Sequence, residues 1–303
     1  MDKVSFVITT FNRLDFLKQA IKSIYSQKNQ KIEIIVVDDG STDGTVQYLT
    51  DLNNEHNFKA IFNSGTGPAT NRLDGFREVT GNYVIFMDDD DYYTDDQMLS
   101  KAIRLLSNNS RIGSVFFNAY TSYDGKSLDD SYSLNFEGLV SGEDLTESFM
   151  MRYPKPLSTF PAVFLTEKLL DAGILEMNSL NDTQIYLRSF LAGGTYYCSD
   201  FIGVYRLHGG SIGNSLKLSY IVQNLEEKIR IGNSLPGNID KNSWLLNQLW
   251  ITIGHYSAKS RTFDGVGLFK WMRILPLRVK LYLTIRVIVS RLKFKIKRIS
   301  GSK

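Results

Sequence analysis

Through its first 118 residues the chain switches repeatedly between two apolar periods, and few folds accommodate that alternation. Residues 4–8 form a short β-branched run, after which Leu14, Leu17, Ile21 and Ile24 recur at the spacing of one helical face. Residues 32–37 are a second apolar run, closed by Asp38-Asp39-Gly40. A helix carrying Val46 and Leu49 then starts at Asp43 or Thr45. Residues 58–62 read as a third strand, followed by a glycine-containing turn and a helix through Leu73 and Phe76. Residues 83–87 and 112–117 read as a fourth and a fifth strand. Strands alternating with helices over short loops predict an α/β fold with a mostly parallel sheet covered on both faces. Ligands of such sheets bind at the carboxyl ends of the strands. The polar clusters that close three of these strands are therefore expected to share one edge.

Residues 119–213 are less regular, with an Asp-rich turn region at 122–133, a helix predicted over 182–191 and two short strands flanking 198–201. From about Asn214 the pattern becomes helical, through Leu218, Ile221, Leu225 and Ile229 and then Leu245, Leu249 and Ile253. The single cysteine, Cys198, excludes a disulfide framework and reads as a small buried apolar residue. Met1-Asp2-Lys3 lacks the basic start of a secretory signal, and no stretch reaches 18 uncharged apolar residues. A cytosolic protein is expected.

Asp88-Asp89-Asp90-Asp91 stands directly after the fourth strand. Adjacent carboxylates repel one another unless a cation or solvent compensates. Asp88 and Asp90, alternating on a turn, could chelate a hard divalent ion and with it a diphosphate; a solvated loop capping the next helix is the structural alternative. Asp38-Asp39-Gly40-Ser41-Thr42-Asp43 offers a carboxylate to a nucleobase or ribose, or simply turn and helix-cap chemistry. Thr9-Thr10-Phe11-Asn12-Arg13 ends the first strand in the same layer. Gly65-Thr66-Gly67-Pro68 lacks the third glycine of a dinucleotide fingerprint and reads as a turn entering a helix. Asp182 either caps a helix or serves chemistry. In Tyr205-Arg206-Leu207-His208, Arg206 could neutralise a phosphate, and His208 could ligate a metal or be structural.

Together, Val36-Val37-Asp38-Asp39-Gly40-Ser41-Thr42-Asp43-Gly44-Thr45 and Gly81-Asn82-Tyr83-Val84-Ile85-Phe86-Met87-Asp88-Asp89-Asp90-Asp91 resemble the signature of family 2 glycosyltransferases. These are inverting enzymes of the GT-A fold, a Rossmann-like, mostly parallel sheet flanked by helices. The resemblance covers about residues 3–213 and implies a catalytic domain over 1–213; the helical pattern then makes 214–263 a helical extension, and the shift in composition near Asp264 sets off a basic tail over 264–303. It implies a nucleoside-diphosphate sugar donor, UDP-linked, and transfer to an acceptor hydroxyl. Asp39 or Asp38 would lie near the base, with Thr9, Phe11, Asn12, Asn71, Asp89 and Arg206 also on the donor. Asp88 and Asp90 would hold Mn2+ or Mg2+, with His208 as a further ligand. Asp182 matches the Asp of the family's Glu-Asp pair, the catalytic base. The chain departs from the pattern in three places. Ala69-Thr70-Asn71 stands where Ala-Arg-Asn is common, displacing Arg72 by one; Asn181 replaces the Glu of the pair; and Thr9-Thr10-Phe11-Asn12 lacks the frequent proline and tyrosine. A non-catalytic nucleotide-sugar binder, a sugar nucleotidyltransferase and a nicotinamide oxidoreductase are the alternatives. The last two require a glycine-rich loop after the first strand, where Thr9-Thr10-Phe11-Asn12 stands.

The formal charge of +3 conceals a split, because Asp264 is the last acidic residue and the 39 residues after it carry 11 Lys and Arg. A helical projection puts Leu281, Ile285, Ile288, Leu292, Ile296 and Ile299 on one stripe. Lys280, Arg286, Arg291, Lys293, Lys297 and Arg298 fall on the remainder, with Leu283, Val287 and Phe294 intruding. Such a helix is expected to lie on an anionic membrane surface, at the inner face of the plasma membrane; the alternative is a helix packed on the catalytic domain. The apolar stripe is surplus to nucleic-acid binding, and no such partner is expected. With the family resemblance, a membrane position implies a lipid-linked glycan acceptor of bacterial surface-polysaccharide synthesis.

Overall fold

The computed structural model describes residues 2–28, 31–53, 57–123, 126–207, 217–260 and 262–300, with the side chains of 259 and 294–300 left aside. It comprises two compact units, Met1–Leu207 and His208–Lys303. The first begins with β1 (Lys3–Thr10), α1 (Leu14–Tyr25), β2 (Lys31–Asp38), α2 (Thr45–Leu52), β3 (Phe58–Phe62), α3 (Pro68–Arg77), β4 (Tyr83–Asp88), β5 (Tyr92–Tyr93), α4 (Met98–Ser107) and β6 (Ile112–Ser122). It continues with β7 (Gly138–Val140), α5 (Gly142–Ser148), β8 (Ala162–Leu165), α6 (Thr166–Asp171), α7 (Asp182–Ala192) and β9 (Gly194–Arg206). The sheet runs β3-β2-β1-β4-β8-β6-β9-β5, with β7 on β9.

Strands β3, β2, β1 and β4 are mutually parallel, which is the arrangement their alternation with helices predicts. Seven consecutive residues of β1 are buried, so both faces of the sheet are covered. Val4, Phe6 and Ile8 face Leu17 and Ile21 of α1 and Leu99 of α4. On the other face a Cβ on Gly75 would stand 2.5 Å from Val7 and 3.1 Å from Val37. The absent side chain at Gly75 therefore lets α3 lie close upon β1 and β2. The register pairs Thr10 with Asp38 and Thr9 with Asp88, so three strands end together in polar residues.

Helix α7 is fixed by an aromatic cluster. Phe116 of β6 meets Tyr186 at 4.9 Å and Tyr197 at 5.3 Å between ring centroids, and Phe149 meets Phe190 at 4.9 Å. The two short strands expected around residues 198–201 are one strand, β9, which follows β6 across register shifts between Ile112 and Tyr120. Those irregularities interrupt the apolar alternation that would mark a single long strand. Cys198 is buried, as expected.

The second unit holds α8 (Leu218–Asn233), α9 (Lys241–Lys259), α10 (Gly265–Trp271) and α11 (Leu277–Ser300). Asp264 caps α10, accepting from the Gly267 amide at 2.9 Å. Helix α11 packs through Leu283 and Val287, which join Ile253, Tyr256 and Leu268 in a shared core. The residues that the projection placed among the basic side chains thus make the tertiary contact. Leu281, Ile285, Ile288 and Leu292, the expected stripe, are each half exposed or more. Arg286 lies 4.5 Å from the Trp250 ring and Arg291 donates to the Ser257 carbonyl at 3.0 Å. The side chains of Phe294, Ile296, Lys297, Arg298 and Ile299 lie outside the described residues. No described helix is long and apolar enough to cross a membrane.

Among the described residues of this unit, Glu227 and Lys228 are buried charges. Lys228 of α8 is 3% exposed and donates to the Gln248 carbonyl of α9 at 2.9 Å. Burial pushes its ammonium down to about 7. The unfolded chain keeps that proton to about pH 10.4, so folding releases it and stability rises with pH between about 7 and 10.4. Lys228→Met is expected to flatten that slope and to add roughly 1–4 kcal/mol near pH 7. Urea unfolding at about pH 7 and about pH 9 checks it; an unchanged slope contradicts the assignment.

Candidate active site

Three parallel strands deliver the site's first residues to one edge. At the end of β1, the Thr9 hydroxyl donates to Asp88 Oδ1 at 3.3 Å and the Thr10 hydroxyl to Asp89 Oδ2 at 2.8 Å. Phe11 is 55% exposed beyond them, an apolar ring presented to solvent at the strand end. Asn12, in a left-handed conformation at φ 52, accepts from the Thr42 amide at 2.7 Å and so ties the first loop to the second. Asp38 is fully buried; its Oδ2 accepts from the amides of Gly40 and Ser41, while Oδ1 has no hydrogen-bond partner. That makes Asp38 the turn former, and Asp39 the accessible carboxylate of the pair. Asp39 gathers the amides of Thr66 at 2.8 Å and Gly67 at 3.0 Å. Burial would raise its pKa, but hydrogen bonds from Asn71, Thr66 and Gly67 outweigh that and hold it below the usual carboxylate range. Gly67 then leads into Pro68 at the first turn of α3, so this glycine segment is the helix entry expected. Asn71 is buried there and accepts from Asn63 at 2.8 Å.

The Asp run divides by direction. Asp88, Asp90 and Asp91 each present an oxygen, all within 4.8 Å of one another. Asp89 turns inward beneath Thr10 and Arg13, and burial, only partly offset by Arg13, pushes its carboxyl up to about 7. Asp91 is fully buried, and burial, with Asp90 and Asp88 beside it, raises its pKa well above the ordinary range. Its Oδ2 accepts from Ser158 at 3.0 Å, while Oδ1 is buried without a partner. An oxygen-only donor set with one carboxylate oxygen unsatisfied suits a hard divalent ion such as Mg2+ or Mn2+. The alternating pair expected from sequence is present and Asp91 joins it. His208 lies outside the described residues.

Cations surround this group. Arg13 Nη1 stands 3.0 Å from Asp89 Oδ1 and 2.7 Å from Asp90 Oδ2. Arg206 donates to the Asp90 carbonyl at 2.6 Å and to Gln19, with its guanidinium 4.7 Å from the Phe16 ring and 4.4 Å from that of Tyr92. It braces the main chain of the turn rather than a carboxylate.

Asp182 opens α7 but does not cap it. Asn181 is the cap, accepting from the Gln184 amide at 3.0 Å while the Gln184 side chain accepts from the Asn181 amide at 2.7 Å. The carboxylate of Asp182 is therefore available, and two cations take it: Arg72 on Oδ1 at 2.7 Å and Lys155 on Oδ2 at 3.1 Å. Burial acts to raise its pKa, but Lys155 and Arg72 prevail and bring it down to about 2. Arg72 also reaches Asp88 Oδ1 at 2.6 Å, joining the Asp run to the opening of α7. A second link passes from Tyr186 of α7 through the Ser158 carbonyl at 2.7 Å, with Ser158 bonded in turn to Asp91.

Arg13, Asp91, Lys155 and Ser158 join the site without being marked as site residues by the sequence. Arg13 and Asp91 adjoin residues it did select; Lys155 and Ser158 sit in an irregular segment with no motif. Arg72, expected only as a displaced residue, is central.

Comparison with known proteins bears on this arrangement. The sequence model of Glycosyl transferase family 2 matches residues 5–158. A GalNAc(5)-diNAcBac-PP-undecaprenol beta-1,3-glucosyltransferase of Campylobacter jejuni is 35% identical over 130 residues, 41% of this chain and 40% of that protein. Several curated relatives are matched over less than half of their own length. Among solved structures, S. aureus TarS 1–349 in complex with UDP-GlcNAc superposes with a TM-score of 0.71 at 18% identity, covering 99% of this chain and 92% of that one. The mannosyltransferase PcManGT of Pyrobaculum calidifontis, in complex with GDP-Man and Mn2+, gives 0.52 at 13% identity, covering 99% and 88%. At these identities the likeness establishes the fold, which is GT-A.

Proposed function

The chain belongs to glycosyl transferase family 2, and from that premise we propose that it is an inverting enzyme transferring a sugar from a UDP-linked donor to an acceptor hydroxyl. The observation that carries this reading is the placement of Asp182 and Asp88 on the two ends of one guanidinium, Arg72. Arg72 thus links the carboxylate that would take the proton to the carboxylates that would hold a cation for the departing diphosphate. Asp39 and the exposed Phe11 ring would receive the nucleoside, with Thr9, Asn12, Asn71 and Asp89 shaping the floor beneath it. Asp88, Asp90 and Asp91 would hold Mn2+ or Mg2+, which supplies charge neutralisation of the leaving diphosphate. Asp182 takes the proton of the attacking hydroxyl as that oxygen bonds to the anomeric carbon and the bond to the diphosphate breaks. One displacement inverts the anomeric centre.

The acceptor we favour is a lipid-linked glycan, the kind of acceptor after which the Campylobacter relative is named. Support within this chain comes from α11. Its exposed Leu281, Ile285, Ile288 and Leu292 form an unpartnered apolar face, and no acidic residue follows Asp264 to oppose an anionic surface. The enzyme would work peripherally at the inner face of the plasma membrane.

Asp182→Asn is expected to lower transfer roughly 100- to 10,000-fold while leaving donor affinity nearly intact. Release of UDP from a panel of UDP-sugars with Mn2+, beside calorimetric UDP binding, measures both. Turnover retained by the variant would remove Asp182 from the base role. For the tail, the full chain should sediment with vesicles containing phosphatidylglycerol, and less with phosphatidylcholine alone. Leu281→Glu combined with Ile285→Glu and Ile288→Glu should abolish the difference; equal sedimentation of both proteins ends the membrane assignment.

A further inference from the structure

Arg72 engages both halves of the site with one rigid group. Its Nη2 lies 2.6 Å from Asp88 Oδ1 and its Nη1 2.7 Å from Asp182 Oδ1. The side chain is 7% exposed, on a helix that Gly75 seats against β1 and β2. Asp88 is also one of the three carboxylates whose oxygens converge. A guanidinium and a divalent cation both require the lone pairs of that carboxylate, and as like charges they repel strongly at such range. The planar fork makes its two contacts together. A shift that frees Asp88 therefore also breaks the contact with Asp182. Arg206 offers the contrast: its guanidinium bonds the Asp90 carbonyl and Gln19, so a cation on the carboxylates does not compete with it for a carboxylate oxygen.

We propose that Arg72 is a positioning residue that couples the cation site to the base. While Arg72 is held by Asp88 it covers Oδ1 of Asp182, and a divalent cation on Asp88 displaces it from both carboxylates at once. Lys155 stays on Oδ2 and keeps the carboxylate oriented. Asp182 can then accept a proton only after the cation is seated, which orders the site: cation first, acceptor second. The inference rests on the proposed roles of Asp88 as a cation ligand and Asp182 as the base.

The test is Mn2+ binding to the full chain by calorimetry after chelator treatment, without donor, for the parent, Arg72→Gln and Arg72→Lys. Arg72→Gln should bind Mn2+ roughly tenfold more tightly, because the competing charge is gone. Arg72→Lys should fall between, since one ammonium cannot fork to both carboxylates. A folded variant that binds Mn2+ no better than the parent overturns the proposal. In a second arm, carboxyl-carbon NMR follows the Asp182 resonance, assigned with Asp182→Asn, during Mg2+ titration. It should move in the parent and much less in Arg72→Gln; equal movement in both, or none in the parent, overturns the coupling. If no version binds Mn2+, the metal reading itself is refuted and the coupling with it, whereas intact Mn2+ binding with no Arg72 effect refutes the coupling alone.

Discussion

Four carboxylates crowded at the end of a buried strand set the terms for the rest of the first unit. Four carboxyl groups on adjacent residues are stable together only if neighbouring groups divide and neutralise their charge or burial keeps some of them protonated. Asp89 is turned inward under Thr10 and Arg13, Asp91 is held by Ser158, and Asp88 and Asp90 are met by Arg72 and Arg13. Each partner depends on a separate packing decision. Arg13 is placed by the loop into α1, Arg72 by the close seating of α3 at Gly75, and Ser158 by its carbonyl contact with Tyr186 in the aromatic cluster.

The opening of α7 resolves a competition between capping and chemistry. A single Asp at a helix start often spends its carboxylate on the backbone. Here Asn181 performs that task with Gln184, and Asp182 keeps both oxygens for side chains. A carboxylate held near pKa 2 by Lys155 and Arg72 stays ionised at any physiological pH, yet it is a weak base while both cations remain. The fork of Arg72 is shared with Asp88, whereas the amine of Lys155 does not reach the Asp run in any contact described.

The helical unit separates packing from charge in a different way. Its last helix buries Leu283 and Val287, draws Arg286 and Arg291 against aromatic and carbonyl groups, and leaves a second apolar row outward. A helix apolar on two sides but enclosed on one has surface to offer a partner.

The strands of the parallel half were legible because buried parallel strands are continuous apolar runs, and the chain spells them between 4 and 87 with turn residues at each end. Asp88, Asp90 and Asp182 were legible as residues in characteristic surroundings. Other features were not readable from any window. Arg13 meets Asp89 across 76 residues, Ser158 meets Asp91 across 67, and Lys155 reaches Asp182 from a segment without periodicity. The period of α11 correctly marks an apolar row, yet the row that packs is the other one, Leu283 and Val287. Sequence alone determined the alternation of elements, the edge at which polar residues collect, and the amount of charge there. Only the tertiary structure decided which cation answers which carboxylate and which helix face is covered. A period records that a face is apolar or charged, whereas its partner is chosen by packing between segments far apart in the chain.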